Sequence, residues 1–511
     1  MHNHKLRLLG LSLSSLSLSA CMTGGLLTTV GPDYHTPTPP TDSQWHAPQS
    51  EAVRQLAHQG NPSDLKKWWQ RFNDPVFNRL LEAAQNESAS VAGAKARIEE
   101  SRANLVGADG ALLPSLDSSM GIRRSSSSFG GPAFVWMQYQ IGLQSSWEID
   151  LFGGLARQQE SAISQLESRN AGWHDARIAV AVEVANAYLA YRYCETQAQL
   201  LSSDADSRRA SSKLSVIAQQ AGFKAQSDVA LANASTAEGN RILLAQQSQC
   251  ERAIKGLVAI TGLQEAQLRQ WLAQSPNQLA KLPTPPPFKI ASMPATVLLQ
   301  RPDVAAAERD VAEASAHIGV EQAKRFPKLS LSGNITPTLQ NINGAALMLA
   351  QTWAIGPTIS LPLFDAGKRA ADVDVARAQY EASVSTFRSK VRTAVKEVEE
   401  ALVRLDSVDK RLPEARSAVS GYQTNFKATQ SLFEVGLGSL MDVETARRTM
   451  LSAELAIKEL EQEQVSAWIA LYRAAGGSWE DTDAIGENSH NEADPQNKTT
   501  TEKTDFSGKK S

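Results

Sequence analysis

From Tyr139 to Gly154 the chain reads YQIGLQSSWEIDLFGG, and apolar and polar residues alternate almost without a break. Ile141, Leu143, Trp147, Ile149 and Leu151 fall on one face; Gln140, Gln144, Ser146, Glu148 and Asp150 fall on the other. A period of two marks a β-strand with a different neighbour on each side. The same alternation recurs in Leu116, Met120 and Ile122, in Leu329, Leu331 and Ile335, and in Ile355, Ile359, Leu361 and Leu363. Four strands are expected, over about 115–124, 136–151, 328–337 and 352–364.

The rest of the pattern is helical. Residues 155–221 contain no proline and are dominated by helix formers, so one helix of roughly 65 residues would run ~100 Å. Ile178, Val182, Ala185 and Leu189 form one heptad-spaced stripe on it, and Val180, Val184, Ala187 and Tyr191 form a second. Residues two apart on a helix lie about 200° apart, so this helix needs a neighbour on each flank. A partner helix is expected over about 226–260. In the second half a main stripe returns in Tyr380, Val384, Phe387, Val391, Val395, Val398, Leu402 and Leu405, on a helix over about 366–435 followed by another over about 439–475.

These elements come in two tandem copies. LLPSLDSSMGI from Leu112 is echoed by RFPKLSLSGNI from Arg325; Phe152 is echoed by Phe364; GFKAQSD from Gly222 is echoed by GLGSLMD from Gly436. The spacing between echo and original hardly changes along the chain, so insertions between the copies are few. Each copy reads as a helix ending at a proline (Pro114, Pro327), two strands and two long helices. The expected fold is mainly α with a small antiparallel β part, the first repeat spanning 63–264 and an equatorial connection with the second repeat spanning 265–480. Gly222 and Gly436 sit where each long helix turns back, as glycine does past a helix end. Cys194 and Cys250 stand equally far from Gly222 on either side of it, so an antiparallel hairpin turning there brings the two sulfurs together as a disulfide.

Lys5 and Arg7 precede a Leu/Ser-rich core too short to span a bilayer, which reads as an export signal over 1–20. It ends LSAC, which resembles a bacterial lipoprotein processing site with Cys21 as the acylated residue; Met22, rather than Asp, follows and points to the outer membrane. A Pro-rich tether over 21–62 and a polar, disordered tail over 481–511 frame the repeats.

With 51 basic and 54 acidic residues and a net charge of −3, the chain has no basic stripe for nucleic acid. It has no apolar run near the roughly 18–20 residues of a membrane helix, so membrane insertion must use strands. Four strands cannot close a barrel and open edges cannot face lipid. Several copies must share one barrel: three supply twelve strands, although other multiples remain open.

No HExxH, GxSxG, phosphate-binding loop or CxxC is present, and His174 and His317 stand alone. No enzyme, metal or cofactor is expected.

LSAC, VGPDYHTP (Val30–Pro37), WWQRFNDPVFNRLLEAA (Trp68–Ala84), LLQRPDVAAAERDVAEASAHIGVEQAKRFPKLSLSG (Leu298–Gly333), LPLFDAGKR (Leu361–Arg369) and LYRAAGGSW (Leu471–Trp479) together sample nearly all of residues 21–480. By these the chain resembles TolC-like outer-membrane efflux factors, in the lipoprotein (NodT-type) branch that serves tripartite pumps. The resemblance implies a homotrimer in outer-membrane lipid, a twelve-stranded β-barrel continued by a periplasmic α-helical barrel, and partners in a periplasmic adaptor and a proton-driven inner-membrane transporter of the RND class. It implies a passive duct for drugs or other small toxic compounds. A protein-secretion duct of the same fold and a periplasmic coiled-coil structural lipoprotein are the competing readings.

Similar proteins close the duct at the hairpin tips with polar rings. Asp228, Glu434 and Asp442 are the candidate gate residues, although Ser439 and Asp442 also have the spacing of a helix-capping pair and Asp228 occupies the matching place. Gly438 stands where some relatives carry an acidic residue. Gly222, Phe223, Gly436, Leu437, Gly438 and Ser439 are the candidate adaptor-docking tips.

Overall fold

The computed structural model describes residues 25–40, 45–48, 68–128, 130–274, 298 and 301–477. The leader, Cys21 and the tail over 481–511 lie outside the described residues. A 3-10 turn, Trp69–Phe72, is followed by α1 (Pro75–Glu87), α2 (Ala89–Ala111), β1 (Ser115–Ser127), β2 (Phe134–Ile149), α3 (Gly154–Gln220), α4 (Gln226–Thr261) and α5 (Glu265–Ala273). The second repeat supplies α6 (Pro302–Ala323), β3 (Lys328–Ile342), β4 (Met348–Ser360), α7 (Lys368–Glu434) and α8 (Leu440–Ala474).

The strands form one antiparallel sheet in the order β1-β2-β3-β4. Both hairpins run further toward their turns than the alternation suggested, because Ser125–Ser127 and the residues around Asn343 pair without an apolar pattern to announce them. At the other end the sheet stops earlier. β2 ends at Ile149 and β4 at Ser360, so Leu151 and the segment 361–364 are not strand. Pro362 has no N–H to give a ladder. The repeats also align differently near the long helices. Gly153 and Gly367 both cap those helices in the left-handed conformation, which sets Phe152 against Ala366 and not against Phe364.

Both stripes of α3 are filled within the chain, since the helix packs against α1, α2, α4, α6 and α8. Ile178, Leu189, Val184 and Tyr191 are all buried. α7 lies against α6 and α8, with Phe387, Val391, Val398 and Leu402 fully enclosed; Pro413 is accommodated inside it.

The equatorial core closes around Trp68. Its ring stacks on Tyr472 with centroids 4.6 Å apart. α1 begins there because Asp74 accepts from the backbone N–H groups of Val76 and Phe77, with Pro75 in the first turn. The same carboxylate accepts from the Tyr188 hydroxyl at 2.6 Å, and burial together with that bond pushes the phenol up.

The described part of the Pro-rich segment is a strap held along the body, not a free tether. Leu26, Leu27 and Val30 donate backbone N–H groups to the carbonyls of Asp150, Leu151 and Phe152. Gly31 crosses α6 so closely that a Cβ there would lie 2.4 Å from the Gly319 Cα. The buried Arg157 donates to the Val30 carbonyl at 3.3 Å and to Asp33 at 2.7 Å. Tyr34 and Thr36 donate to Glu308, and the N–H groups of His46 and Ala47 reach Glu399 on α7.

Arg301 ties the start of α6 to both second-repeat helices. It donates to Asp303 at 2.9 Å, pairs with Glu397 at 2.7 Å and donates to the Ala474 carbonyl at 3.2 Å. Burial alone would raise the Asp303 carboxyl, but the Arg301 guanidinium outweighs it and holds the group below its ordinary 3.8. A folded-state value below the unfolded one gives stability that is present above the unfolded pKa and lost as pH falls through the folded one. Thermal melts should therefore weaken below about pH 4, and Asp303→Asn should flatten that acid limb; an unchanged limb would remove Asp303 from its cause.

Candidate functional site

The two hairpin tips are built alike. At the end of α3, Gly222 has φ +82°, its N–H bonds to the Gln219 carbonyl and the Phe223 N–H to that of Ala218. At the end of α7, Gly436 has φ +82°, its N–H bonds to Phe433 and the Leu437 N–H to Leu432. Both are Schellman turns, which satisfy helix-end carbonyls and require a left-handed residue after the cap. The turns push apolar side chains into solvent: Phe223 is 85% exposed and Leu437 78%.

The tips differ in their next helix starts. Ser439 caps α8, its hydroxyl accepting from the Asp442 N–H at 3.2 Å and donating to the Asp442 carboxylate at 2.7 Å. Ala225, its counterpart before α4, has no side chain able to cap. Asp442 therefore stands in a capping pair, while Asp228 lies in the first turn of α4, at the positive end of the helix dipole. Asp442 also lines a groove of about 690 Å³ with Gly421, Tyr422, Asn425, Thr445 and Thr449. Glu434 is exposed and accepts from Gln430 at 3.1 Å. Gly438 packs against the Leu432–Phe433 backbone, where a Cβ would meet Phe433 N at 3.0 Å.

Two contacts join the tips that the sequence pattern did not single out. Lys224 places its ammonium 4.4 Å from the centroid of Phe433. Further up, buried Arg208 and Arg447 meet Asp204 and Glu444 between the hairpins. Glu444 also accepts from the Ser235 hydroxyl at 2.6 Å, and Arg447 reaches the Ser211 hydroxyl at 3.2 Å. Nothing in the periodicity marked these side chains, because an acid and a base three or four residues apart read equally well as a solvated helix face. Cys194 and Cys250 are joined as a disulfide across α3 and α4.

At the opposite end, the sheet has two chemically distinct faces. Leu116, Met120, Ile122, Ile141, Leu143, Ile335, Trp353, Ile355 and Ile359 are exposed on one. On the other, Gln140 pairs with Thr338, Gln144 with Asn334 and Ser146 with Ser332, and Glu148 meets Lys328 at 3.3 Å. β1 and β4 have no partner on their outer edges among the described residues. No helix of the described residues is long and apolar enough to cross a membrane, and no group of metal-ligating side chains occurs among them.

Comparison with known proteins agrees with this architecture. The chain is 27% identical over 454 residues to the solvent efflux pump outer membrane protein SrpC of Pseudomonas putida, covering 88% of this chain and 95% of that one. It is 28% identical over 481 residues to the pyoverdine export outer membrane protein OpmQ of Pseudomonas aeruginosa, covering 92% and 98%. The solved outer-membrane channel OprN superposes with a TM-score of 0.76 at 27% identity, over 88% of this chain and 99% of the other. The CmeC outer membrane channel of Campylobacter jejuni shares the fold, with a TM-score of 0.77 at 20% identity, over 89% of this chain and 96% of that one. The profile of the outer membrane efflux proteins matches residues 80–263 and 293–477, one stretch in each repeat. The chain belongs to the outer membrane efflux protein family.

Proposed function

We propose that three copies of this chain close a twelve-stranded barrel in the outer membrane and form the passive exit duct of a tripartite efflux pump for small toxic compounds. One observation carries the reading: a four-stranded sheet with an apolar face, a polar face and two open edges, continued by helices of 67 residues. Such a sheet is stable in lipid only when other copies close its edges. The helices then continue the tube across the periplasm, and the apolar tips around Phe223 and Leu437 meet the adaptor coupled to an RND transporter. Asp228, Glu434 and Asp442 would recur three times around the axis, where carboxylate rings concentrate negative potential and favour cations. Cys21 would carry the lipid anchor.

A strain lacking the gene should accumulate a lipophilic cationic dye, and the wild-type gene should restore efflux. Heat-modifiable trimers should be recovered from its outer-membrane fraction. Unchanged accumulation alongside lost export of a secreted protein would replace this reading with the secretion duct; a water-soluble monomer would overturn the barrel itself.

A further inference from the structure

Within one chain the two repeats already meet along a strand seam, and its geometry predicts the one between chains. Ser119 pairs with Gly142 in the first hairpin, and Ser332 pairs with Gly356 in the second. β1 therefore maps onto β3 with Ser119 on Ser332, and β2 maps onto β4 with Gly142 on Gly356. The observed seam between repeats is β2 against β3, with Leu143 opposite Ile335, Ser145 opposite Gly333 and Ile149 opposite Leu329.

We infer that β4 of one copy pairs antiparallel with β1 of a second copy in the register copied from the β2–β3 seam: Ile359 opposite Met120, Pro357 opposite Ile122, and Thr352–Ser360 running against Ser119–Ser127. The inference rests on the oligomeric barrel proposed above and adds which residues meet.

Three features of the side chains it brings together suit it. Side chains alternate between faces along a strand, so an arbitrary register has an even chance of setting lipid-facing residues opposite lumen-facing ones. This register keeps exposed Ile359, Met120 and Ile122 on one face. Just beyond the strand end, Leu363 comes opposite Leu116, as Ile149 stands opposite Leu329 inside the chain; both leucines are exposed in the single copy. On the lumen face the long Arg123 comes opposite Gly356, beside which a Cβ would meet nothing. Gly142, its counterpart within the chain, is already covered by Thr336 and Ser119.

Directly opposed side chains have Cβ atoms about 4.5–5.5 Å apart, whereas a slip of two positions separates them by about 7–8 Å. Within one chain Met120 and Ile359 lie on opposite edges of the sheet, too far apart to bridge. The test places Met120→Cys and Ile359→Cys in one full-length chain, oxidises outer membranes with copper–phenanthroline and runs denaturing gels without reductant. The expected result is a shift from monomer to covalent trimer, reversed by reductant, with far less from Ile122→Cys or Ser118→Cys combined with Ile359→Cys. Stronger bridging by either displaced pair would overturn the register. Heat-modifiable trimers with no interchain bridge from any pair would overturn the β4–β1 seam while leaving the trimeric duct standing. Absence of trimers in the wild type would overturn both.

Discussion

Replacing Glu444 with alanine is expected to destabilise the folded chain by about 3–5 kcal/mol, because it leaves buried guanidinium charge without its partner. Arg208 and Arg447 are 9% and 3% exposed, and two carboxylates, Asp204 and Glu444, balance them. Removing one carboxylate leaves an uncompensated positive charge in a low-dielectric seam, where water cannot restore its solvation. Glu444 also accepts the Ser235 hydroxyl at 2.6 Å, so alanine removes that acceptor too, leaving Ser235 only the bond it accepts from Arg208. Glu444→Gln keeps one acceptor oxygen, enough for Ser235, but loses the charge and the second acceptor that faces Arg447; its cost should be intermediate. Denaturant unfolding of the detergent-solubilised protein would measure the effect. A loss under about 1 kcal/mol would mean that the pair behaves as a solvated surface bridge.

Removing the disulfide comes next in size. Cys194 and Cys250 close a loop of 56 residues, which in the chain-entropy model stabilises the native state by about 4 kcal/mol. Cys194→Ser with Cys250→Ser should lower the unfolding midpoint accordingly, and reductant should do the same to the wild type but not to the double variant. Equal midpoints with and without reductant would overturn the expectation. The second hairpin has no cysteine at the corresponding level. Gln464 donates there to Asp409 at 3.1 Å and Arg411 pairs with Glu463 at 2.6 Å. Reduction should therefore loosen α3 against α4 and leave α7 against α8 unaffected, a difference that amide hydrogen exchange can resolve.

The features that sequence revealed best are those imposed by a change of solvent. Lipid on one side and water on the other leave a period of two that strand ends blur only slightly, and a helix with two neighbours carries two stripes, as Val184 and Leu189 do. Gly222 and Gly436 were legible because only a residue tolerant of positive φ completes those turns. The early end of β4 was not, since Leu361 and Leu363 continue the alternation while Pro362 withholds its hydrogen bond. The strap was equally silent: Gly31 against Gly319 is a close approach of two backbones, and such contacts have no periodicity. The Arg208–Glu444–Arg447 cluster was hidden for a different reason. Charged side chains report their burial only through partners on another helix, here 208 and 444 on separate repeats. At the tips, the cap by Ser439 was legible in its spacing, whereas Lys224 over Phe433 depends on how the two hairpins lean together.

With Cys21 acylated, as proposed above, the strap would also act as a depth gauge. Four peptide links separate Cys21 from Gly25, a reach of at most about 14 Å, and from Leu26 onward the backbone is pinned to the foot of β2. Acyl chains on Cys21 would therefore enter the leaflet nearest the periplasm, beside the barrel's lower rim. Lengthening the 21–25 spacer would slacken this coupling, and shortening it would draw the rim toward the headgroups.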